Sequence, residues 1–217
     1  MFQPRLIAVF ALTLSAAVSA HASAANHVVA DDGAIVLPFS QSIGDTFSGT
    51  QAGGFTSQDG TSVVTASVNG LNYFYDDFLF MLPSAPQATF NAAAVSIDLG
   101  GFLGLENFSA RLYKLDNGLA SLTTGLPSSG TPIQAWTSTS AVAPGVTSTT
   151  VLFQNVSLQA GASYALEFRG TITGNFGGSY GGNLNITPIL GAVPEPGSLA
   201  LLAVSLGVMA ATRRRAR

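Results

Sequence analysis

Polar and apolar residues alternate along much of the central part of the chain, and a period of two is the pattern of a half-buried β-strand. Glycine and proline recur every few residues and no apolar period of 3.6 is sustained, which argues against long helices there. Short strands separated by turn sequences predict an all-β protein, an antiparallel β-sandwich of jelly-roll-like kind. The alternating runs predict strands at 61–68, 71–82, 93–99, 108–115, 149–158, 163–173 and 182–189.

Turn sequences between these runs support the same fold. Asp116-Asn117-Gly118 predicts a tight turn, because Asn and Gly tolerate positive φ. The stretches 125–130 and 141–145 combine Pro with Ser or Gly and predict loops. No repeat or linker divides the central region, so we expect one domain.

The N-terminal 24 residues have a different pattern. Arg5 precedes an apolar run over 6–18, and Ala22-Ser23-Ala24 follows as a small-x-small sequence, so residues 1–24 are expected to be a secretory signal peptide. Ala22 and Ala24 would then define the cleavage site, although Ala20-His21-Ala22 is an equally acceptable one. A retained membrane helix is the alternative, which the short apolar run ending in Ala and Ser disfavours.

The C-terminal 25 residues, 193–217, also stand apart. A Pro194-Glu195-Pro196 kink precedes an uncharged apolar run over 197–212, and the cluster Arg213, Arg214 and Arg215 comes next. A helix of this length is about 24 Å long, shorter than a hydrocarbon core of about 30 Å, and it spans only with snorkelling arginines or local thinning. We expect a short transmembrane helix with its arginines in the cytoplasm. The alternative is a buried terminal helix, which the adjoining arginines disfavour.

The predicted domain, residues 25–192, is acidic and has no cysteine. It contains three basic residues (Arg111, Lys114 and Arg169) against ten acidic ones, a formal net charge of −7. Nucleic acid is therefore not expected as a partner, because a binding domain needs a basic surface. The lack of cysteine excludes disulfides, thiol nucleophiles and iron–sulfur clusters.

Asp76 is the most informative acidic residue, because strand alternation places it on one face with Phe74 and Phe78. A carboxylate on a core-facing surface needs a partner. Backbone N–H groups, Arg111 and Arg169 are the candidates, and the Asp76–Arg169 ion pair is the one we favour because a guanidinium binds a carboxylate in bidentate fashion. Two alternatives remain: calcium binding by Asp76 and Asp77, or exposure of both at a turn.

The sequence does not favour an enzyme, and we expect no cofactor and no metal. A Ser–His–Asp arrangement has only His27 as a base, at a predicted mature N-terminus where fraying is common. Glu106 and Glu167 allow a pair of glycosidase carboxylates without any spacing that favours it. Aromatic residues such as Trp136, Tyr73 and Tyr180 could stack on sugar rings, which keeps carbohydrate binding, with or without calcium, as an alternative function.

The order of kink, apolar helix and arginine cluster at 193–217 resembles the PEP-CTERM protein-sorting signal of Gram-negative bacteria. The resemblance implies that the tail tethers the precursor in the inner membrane with the β-domain in the periplasm. An integral-membrane cysteine protease, exosortase, would recognise Pro194, Glu195 and Pro196 and remove the tail. Proline fixes φ and disfavours helix through the kink, so this segment would be extended outside the bilayer.

A second resemblance covers the central region. Phe74-Tyr75-Asp76-Asp77-Phe78 is similar to the F-x-D-x-F motif of a subgroup of these proteins, and 160–170 and 178–182 resemble its closing strands. That subgroup implies no known enzymatic activity. The sequence therefore predicts a non-enzymatic exported protein of the cell surface or extracellular matrix, processed by an exosortase and associated with exopolysaccharide and biofilm.

Overall fold

The computed structural model describes residues 27–63, 72–116 and 130–190, with the side chains of residues 62 and 63 left out of the description. Within these ranges the chain is all-β. The predicted signal peptide and the predicted C-terminal helix lie outside them. The described ranges include no helix of the length and apolarity needed to cross a membrane. The strands are β1 (His27–Ala34), β2 (Phe39–Thr50), β3 (Gly54–Thr56), β4 (Ser62–Val63), β5 (Asn72–Met81), β6 (Ala88–Asp98), β7 (Leu105–Leu115), β8 (Gly130–Thr137), β9 (Thr139–Ala143), β10 (Val146–Leu158), β11 (Ser163–Ile172) and β12 (Gly177–Pro188).

The strands form two sheets. The first sheet has the order β1-β5-β11-β7-β8, and the second has the order β4-β3-β2-β12-β6-β10-β9. All neighbouring strands pair antiparallel except β1, which lies parallel to β5 at the edge of the first sheet. This parallel edge strand is a departure from the wholly antiparallel sandwich that the sequence predicts.

The long strands pair in a nested order. β2 pairs with β12, β5 with β11, β6 with β10 and β7 with β8, so early strands lie beside late ones. The chain also changes sheet from β4 to β5, from β5 to β6 and from β6 to β7. The chain therefore crosses repeatedly between the two sheets.

The predicted strands over 71–82, 93–99, 108–115, 149–158, 163–173 and 182–189 correspond to β5, β6, β7, β10, β11 and β12. Of the predicted strand 61–68, only β4 falls within the described residues. The prediction of a loop over 141–145 is partly wrong, because β9 continues to Ala143 and the turn is confined to Pro144 and Gly145, where φ of Gly145 is 76°.

Strands β1, β2, β3, β8 and β9 were not predicted, and the sequences of β2, β8 and β9 show why. In β2 the inward positions are Ile43, Asp45 and Phe47, so an acidic residue interrupts the apolar period. β8 and β9 lie at sheet edges and are largely exposed, so they carry little apolar alternation. β8 even contains Pro132, which an edge strand tolerates.

Aromatic side chains from both sheets form the centre of one continuous core. Phe168 of β11 stacks on Phe108 with ring centroids 5.6 Å apart and meets Phe78 edge to face at 5.8 Å. Across the sandwich it contacts Tyr180 of β12 at 4.9 Å. Buried aromatic rings in these geometries supply packing beyond their burial alone, so the sheets are held together chiefly here.

Truncating Phe168 is expected to be strongly destabilising. Phe168→Ala removes a fully buried ring that touches both sheets and should lower the free energy of unfolding by about 3–5 kcal/mol. Phe102→Ala is the matched control, because Phe102 is 65% exposed and should change it by less than about 1 kcal/mol. Urea unfolding followed by intrinsic fluorescence measures both, and equal effects would show that the core is wrongly placed.

Candidate functional site

All residues of the predicted sorting and processing sites lie outside the described ranges. These are Ala22, Ala24, Pro194, Glu195, Pro196, Arg213, Arg214 and Arg215. The F-x-D-x-F segment, in contrast, lies in the middle of β5. The candidate site within the described residues is built around it.

Asp76 faces the core, as the alternation along β5 predicts. Phe74 and Phe78 on the same face are 1% and 2% exposed, and Asp76 itself is completely buried. Its two carboxylate oxygens have separate partners: Oδ2 accepts a 2.8 Å hydrogen bond from the hydroxyl of Tyr180, and Oδ1 lies 3.0 Å from Nδ1 of His27. The alternative that Asp76 and Asp77 are exposed at a turn is therefore wrong.

The predicted Asp76–Arg169 ion pair does not form. Arg169 lies one position along β11 from Phe168, the residue opposite Asp76, so its side chain leaves the sheet on the other face. There its Nε donates to Ser109 Oγ at 3.1 Å, and its guanidinium lies 3.9 Å from the ring centroid of Trp136. Arg111, the other arginine considered, donates from Nε to Glu167 Oε1 at 3.0 Å.

His27 is instead the cation beside Asp76, and the expectation that this residue is frayed is wrong. Parallel pairing of β1 with β5 sets His27 opposite Asp76 in register. Its other ring nitrogen, Nε2, lies 3.0 Å from Asp59 Oδ2, so carboxylates flank both nitrogens of the imidazole. Only 10% of the His27 side chain is exposed.

Asp45 of β2 completes the cluster from the second sheet. Its Oδ2 lies 3.7 Å from His27 Nδ1, and its Oδ1 accepts hydrogen bonds from the backbone N–H groups of Thr46 and Gln58 at 2.7 and 3.1 Å. Gly44, the residue before Asp45, allows β2 to lie close to β12. A Cβ at residue 44 would lie only 2.6 Å from the carbonyl oxygen of Tyr180. The site thus combines residues of both sheets, from β1 and β5 of the first and from β2 and β12 of the second.

Burial and neighbouring charges shift the pKa values of this cluster. The hydrogen bond to Asp76 raises the pKa of His27 to about 9 against the opposing effect of burial, and Asp59 adds to the rise. Burial raises the pKa of Asp76 to about 6, an effect that its hydrogen bond with His27 reduces and the charge of Asp45 increases. His27 holds the pKa of Asp59 well below its usual range. At neutral pH the cluster therefore combines one imidazolium with carboxylates that outnumber it.

Asp77 belongs to a second buried cluster on the opposite face of β5. The hydroxyl of Tyr113 lies 3.4 Å from Asp77 Oδ1 and 3.2 Å from Glu167 Oε2, and Arg111 binds Glu167 from the rim. Because Asp76 and Asp77 leave the strand on opposite faces, they cannot share a calcium ion. The calcium alternative for this pair is wrong for that reason.

The aromatic residues considered as sugar platforms have different environments. Tyr180 is only 4% exposed and belongs to the core. Trp136 has the guanidinium groups of Arg111 and Arg169 at 4.6 and 3.9 Å from its ring centroid. Tyr73 lines a surface groove of about 290 Å³ together with Tyr75, Asn107, Arg169 and Thr171, among others.

His27 is the functional residue that sequence reasoning missed. Its neighbours Val28, Val29 and Ala30 give β1 no clean alternation, and its partners are 18, 32 and 49 positions away. A signal was nevertheless present. Asp76 needs a cation, and His27 is the only histidine of the predicted mature chain.

A pair of double-mutant cycles tests this assignment. His27→Ala and Asp76→Ala should each destabilise by up to about 3–5 kcal/mol, because each leaves buried charge without its partner, and the double variant should lose clearly less than the sum. Arg169→Ala is the control, and its effect should add to that of Asp76→Ala within about 0.5 kcal/mol. Urea unfolding with a chelator present measures all of them. Coupling of Asp76 to Arg169 instead of to His27 would refute the placement of β1.

Comparison with known protein families finds a match at the C-terminus. The model of the PEP-CTERM protein-sorting motif matches residues 192–215. No curated protein and no solved structure matches the chain. The matched segment contains the Pro-Glu-Pro kink, the apolar run and the three consecutive arginines. The chain therefore carries a C-terminal PEP-CTERM sorting signal, which implies an exported, exosortase-processed protein that is membrane-anchored before processing.

Proposed function

We propose that this chain is a non-enzymatic protein of the cell surface or extracellular matrix, and that exosortase delivers its β-domain there by removing residues after the Pro-Glu-Pro site. The observation that carries the proposal is the sorting motif at 192–215. The predicted signal peptide at 1–24 would direct export, and the predicted helix at 197–212 would hold the precursor in the inner membrane until cleavage. The F-x-D-x-F subgroup, to which Phe74, Asp76 and Phe78 point, is part of the same proposal.

The contacts of His27 support a role other than catalysis. Both of its ring nitrogens face carboxylates, Asp76 on one side and Asp59 on the other. A histidine held in this way has no nitrogen directed at a serine or threonine hydroxyl, as nucleophilic catalysis requires. Asp76, Tyr113 and Tyr180, whose pKa values are raised chiefly by burial, are likewise buried groups that link different strands through hydrogen bonds.

The charge of the domain fits delivery outside the cell. A formal net charge of −7 favours solubility and disfavours binding to nucleic acid. We propose that it acts alongside an exopolysaccharide system, as an element of the matrix or of the biofilm. A sandwich that folds without disulfides suits this role, because it needs no oxidative step after export.

Processing of the tail is the direct test. In a host with a functional exosortase, intact-mass measurement of surface or secreted protein should show the loss of most of residues 193–217. Changing Pro194, Glu195 and Pro196 together to Ala should leave the full tail in place and the protein in the membrane fraction. Pro144→Ala, in the β9–β10 turn, is the matched control and should be processed normally. Full-length chain on the cell surface would contradict the proposal.

A second candidate function, carbohydrate binding, is favoured by the groove beside Arg169. Tyr73 and Tyr75 project from the same face of β5 into this groove, next to the polar side chains of Asn107 and Thr171. Half-buried tyrosines with hydrogen-bonding neighbours are typical of sites that bind sugar rings. If this groove binds polysaccharide, the domain is a matrix adhesin and more than a passive element.

Affinity electrophoresis in gels containing acidic or neutral exopolysaccharide tests the groove. The wild-type chain should be retarded, and Tyr73→Ala should abolish most of the retardation. Phe176→Ala, which removes an aromatic ring that is 55% exposed and lies outside the groove, should leave it unchanged. Equal retardation of all three proteins would exclude this function.

A further inference from the structure

The cluster around His27 leaves one buried atom without a hydrogen bond. Asp45 Oδ2 has none, although the side chain of Asp45 is completely buried. Nδ1 of His27 has one proton and can donate one hydrogen bond. It lies 3.0 Å from Asp76 Oδ1 and 3.7 Å from Asp45 Oδ2, so Asp76 receives this bond. A buried carboxylate oxygen without a hydrogen bond is costly, and the single proton on Nδ1 cannot satisfy both Asp76 and Asp45.

The geometry of the three atoms fits a metal ion. One ligand atom from each of His27, Asp45 and Asp76 lies within 4.8 Å of the others. With Zn–N and Zn–O bonds of about 2.0–2.2 Å, neighbouring ligands of a tetrahedral zinc are about 3.4 Å apart. The separations of 3.0 and 3.7 Å from Nδ1 lie on either side of this value. An ion can therefore be accommodated between them, with the two carboxylate oxygens, which lie within 4.8 Å of each other, adjusting toward it.

Residues behind the three ligands have the arrangement that supports metal binding. A metal-bound histidine usually donates its second ring N–H to a carboxylate, and here Nε2 of His27 faces Asp59 Oδ2 at 3.0 Å. Tyr180 donates to Asp76 Oδ2 at 2.8 Å, which leaves Oδ1 of that carboxylate available. The backbone N–H groups of Thr46 and Gln58 hold Oδ1 of Asp45, which directs Oδ2 toward the imidazole.

We propose that His27, Asp45 and Asp76 bind one divalent transition-metal ion of the zinc type, with His27 coordinating through Nδ1 and donating from Nε2 to Asp59. On binding, Nδ1 loses its proton to solvent and the imidazole becomes neutral. A doubly charged ion then balances the two buried carboxylates, whereas the imidazolium balances only one. The partly exposed side chains of His27 and Asp59, 10% and 49% exposed, mark the route by which the ion enters.

The ligand set selects a zinc-like ion over calcium. Calcium prefers six to eight oxygen ligands, and this site supplies one imidazole nitrogen and two carboxylates. Imidazole with carboxylate suits zinc and its first-row neighbours, with a fourth position left for water. The proposed metal site is formed by residues inside the domain and does not involve the sorting tail.

Calorimetric titration of the full chain with zinc chloride tests the proposal. Residues 1–217, expressed without export and purified in detergent, should bind one zinc ion and should bind calcium and magnesium far more weakly. His27→Gln and Asp45→Asn should each weaken zinc binding by about 100-fold or more, and Asp59→Asn by about 10–100-fold. Zinc should also raise the melting temperature of the wild type in a concentration-dependent manner.

Two matched controls separate this site from adventitious binding. His21→Gln removes the other histidine, and Asp98→Asn neutralises an aspartate outside the cluster, so both should bind zinc as the wild type does. Asp45→Asn keeps the side-chain oxygen that accepts from the backbone N–H groups of Thr46 and Gln58, and its metal-free melting temperature shows whether the variant folds. If that variant fails to fold, Asp59→Asn decides, since its side chain is half-exposed.

Three results would overturn the proposal. They are the absence of saturable zinc binding, zinc binding that His27→Gln leaves unchanged, and calcium binding as tight as that of zinc.

Discussion

The two sheets are joined inside the sandwich by a hydrogen bond between Tyr180 of β12 and Asp76 of β5, and most features of the site depend on it. The bond fixes a completely buried carboxylate in an aromatic surrounding, where Tyr180 also stacks against Phe74 at 5.9 Å. A buried charge in that position requires a cation nearby. The parallel pairing of β1 with β5 brings His27 to it, and the turn carrying Asp59 and the strand carrying Asp45 gather around the imidazole.

The scarcity of basic residues explains how the domain distributes its charges. Two of its three cations, Arg111 and Arg169, lie together on the outer side of the first sheet and share Trp136. There Arg111 donates a hydrogen bond to Glu167, which forms a buried cluster with Tyr113 and Asp77. The inner carboxylates, Asp45 and Asp76, are left with a histidine alone. Adjacent acidic residues on one strand thus have separate partners, because successive side chains of a strand leave it on opposite faces.

The sorting signal and the folded core lie in different parts of the chain. The sorting signal lies at residues 192–215, and this short contiguous segment is sufficient to recognise it. The domain has its own core and its own charge balance in the ranges that the structure describes. Removal of such a tail would leave those contacts intact, which is what delivery of a folded domain requires.

Local patterns in the sequence determined the fold class, six of the long strands and the sorting signal. Each of these depends on residues that are neighbours in the chain: the alternation along β5, β7 and β11, or the order of kink, apolar run and arginines. The same alternation correctly placed Asp76 on a core-facing surface with Phe74 and Phe78.

Tertiary structure alone decided the partners of Asp76. The choice of His27 over Arg169 depends on a parallel edge strand and on the face from which Arg169 leaves β11. Asp45 reaches the site from strand β2, where it occupies an inward position and so interrupts the apolar alternation that would have predicted the strand. Asp59 reaches the site from a turn. Charge pairing over such distances follows from strand order and register, and these are set by the packing of the whole core, which no short segment of sequence encodes.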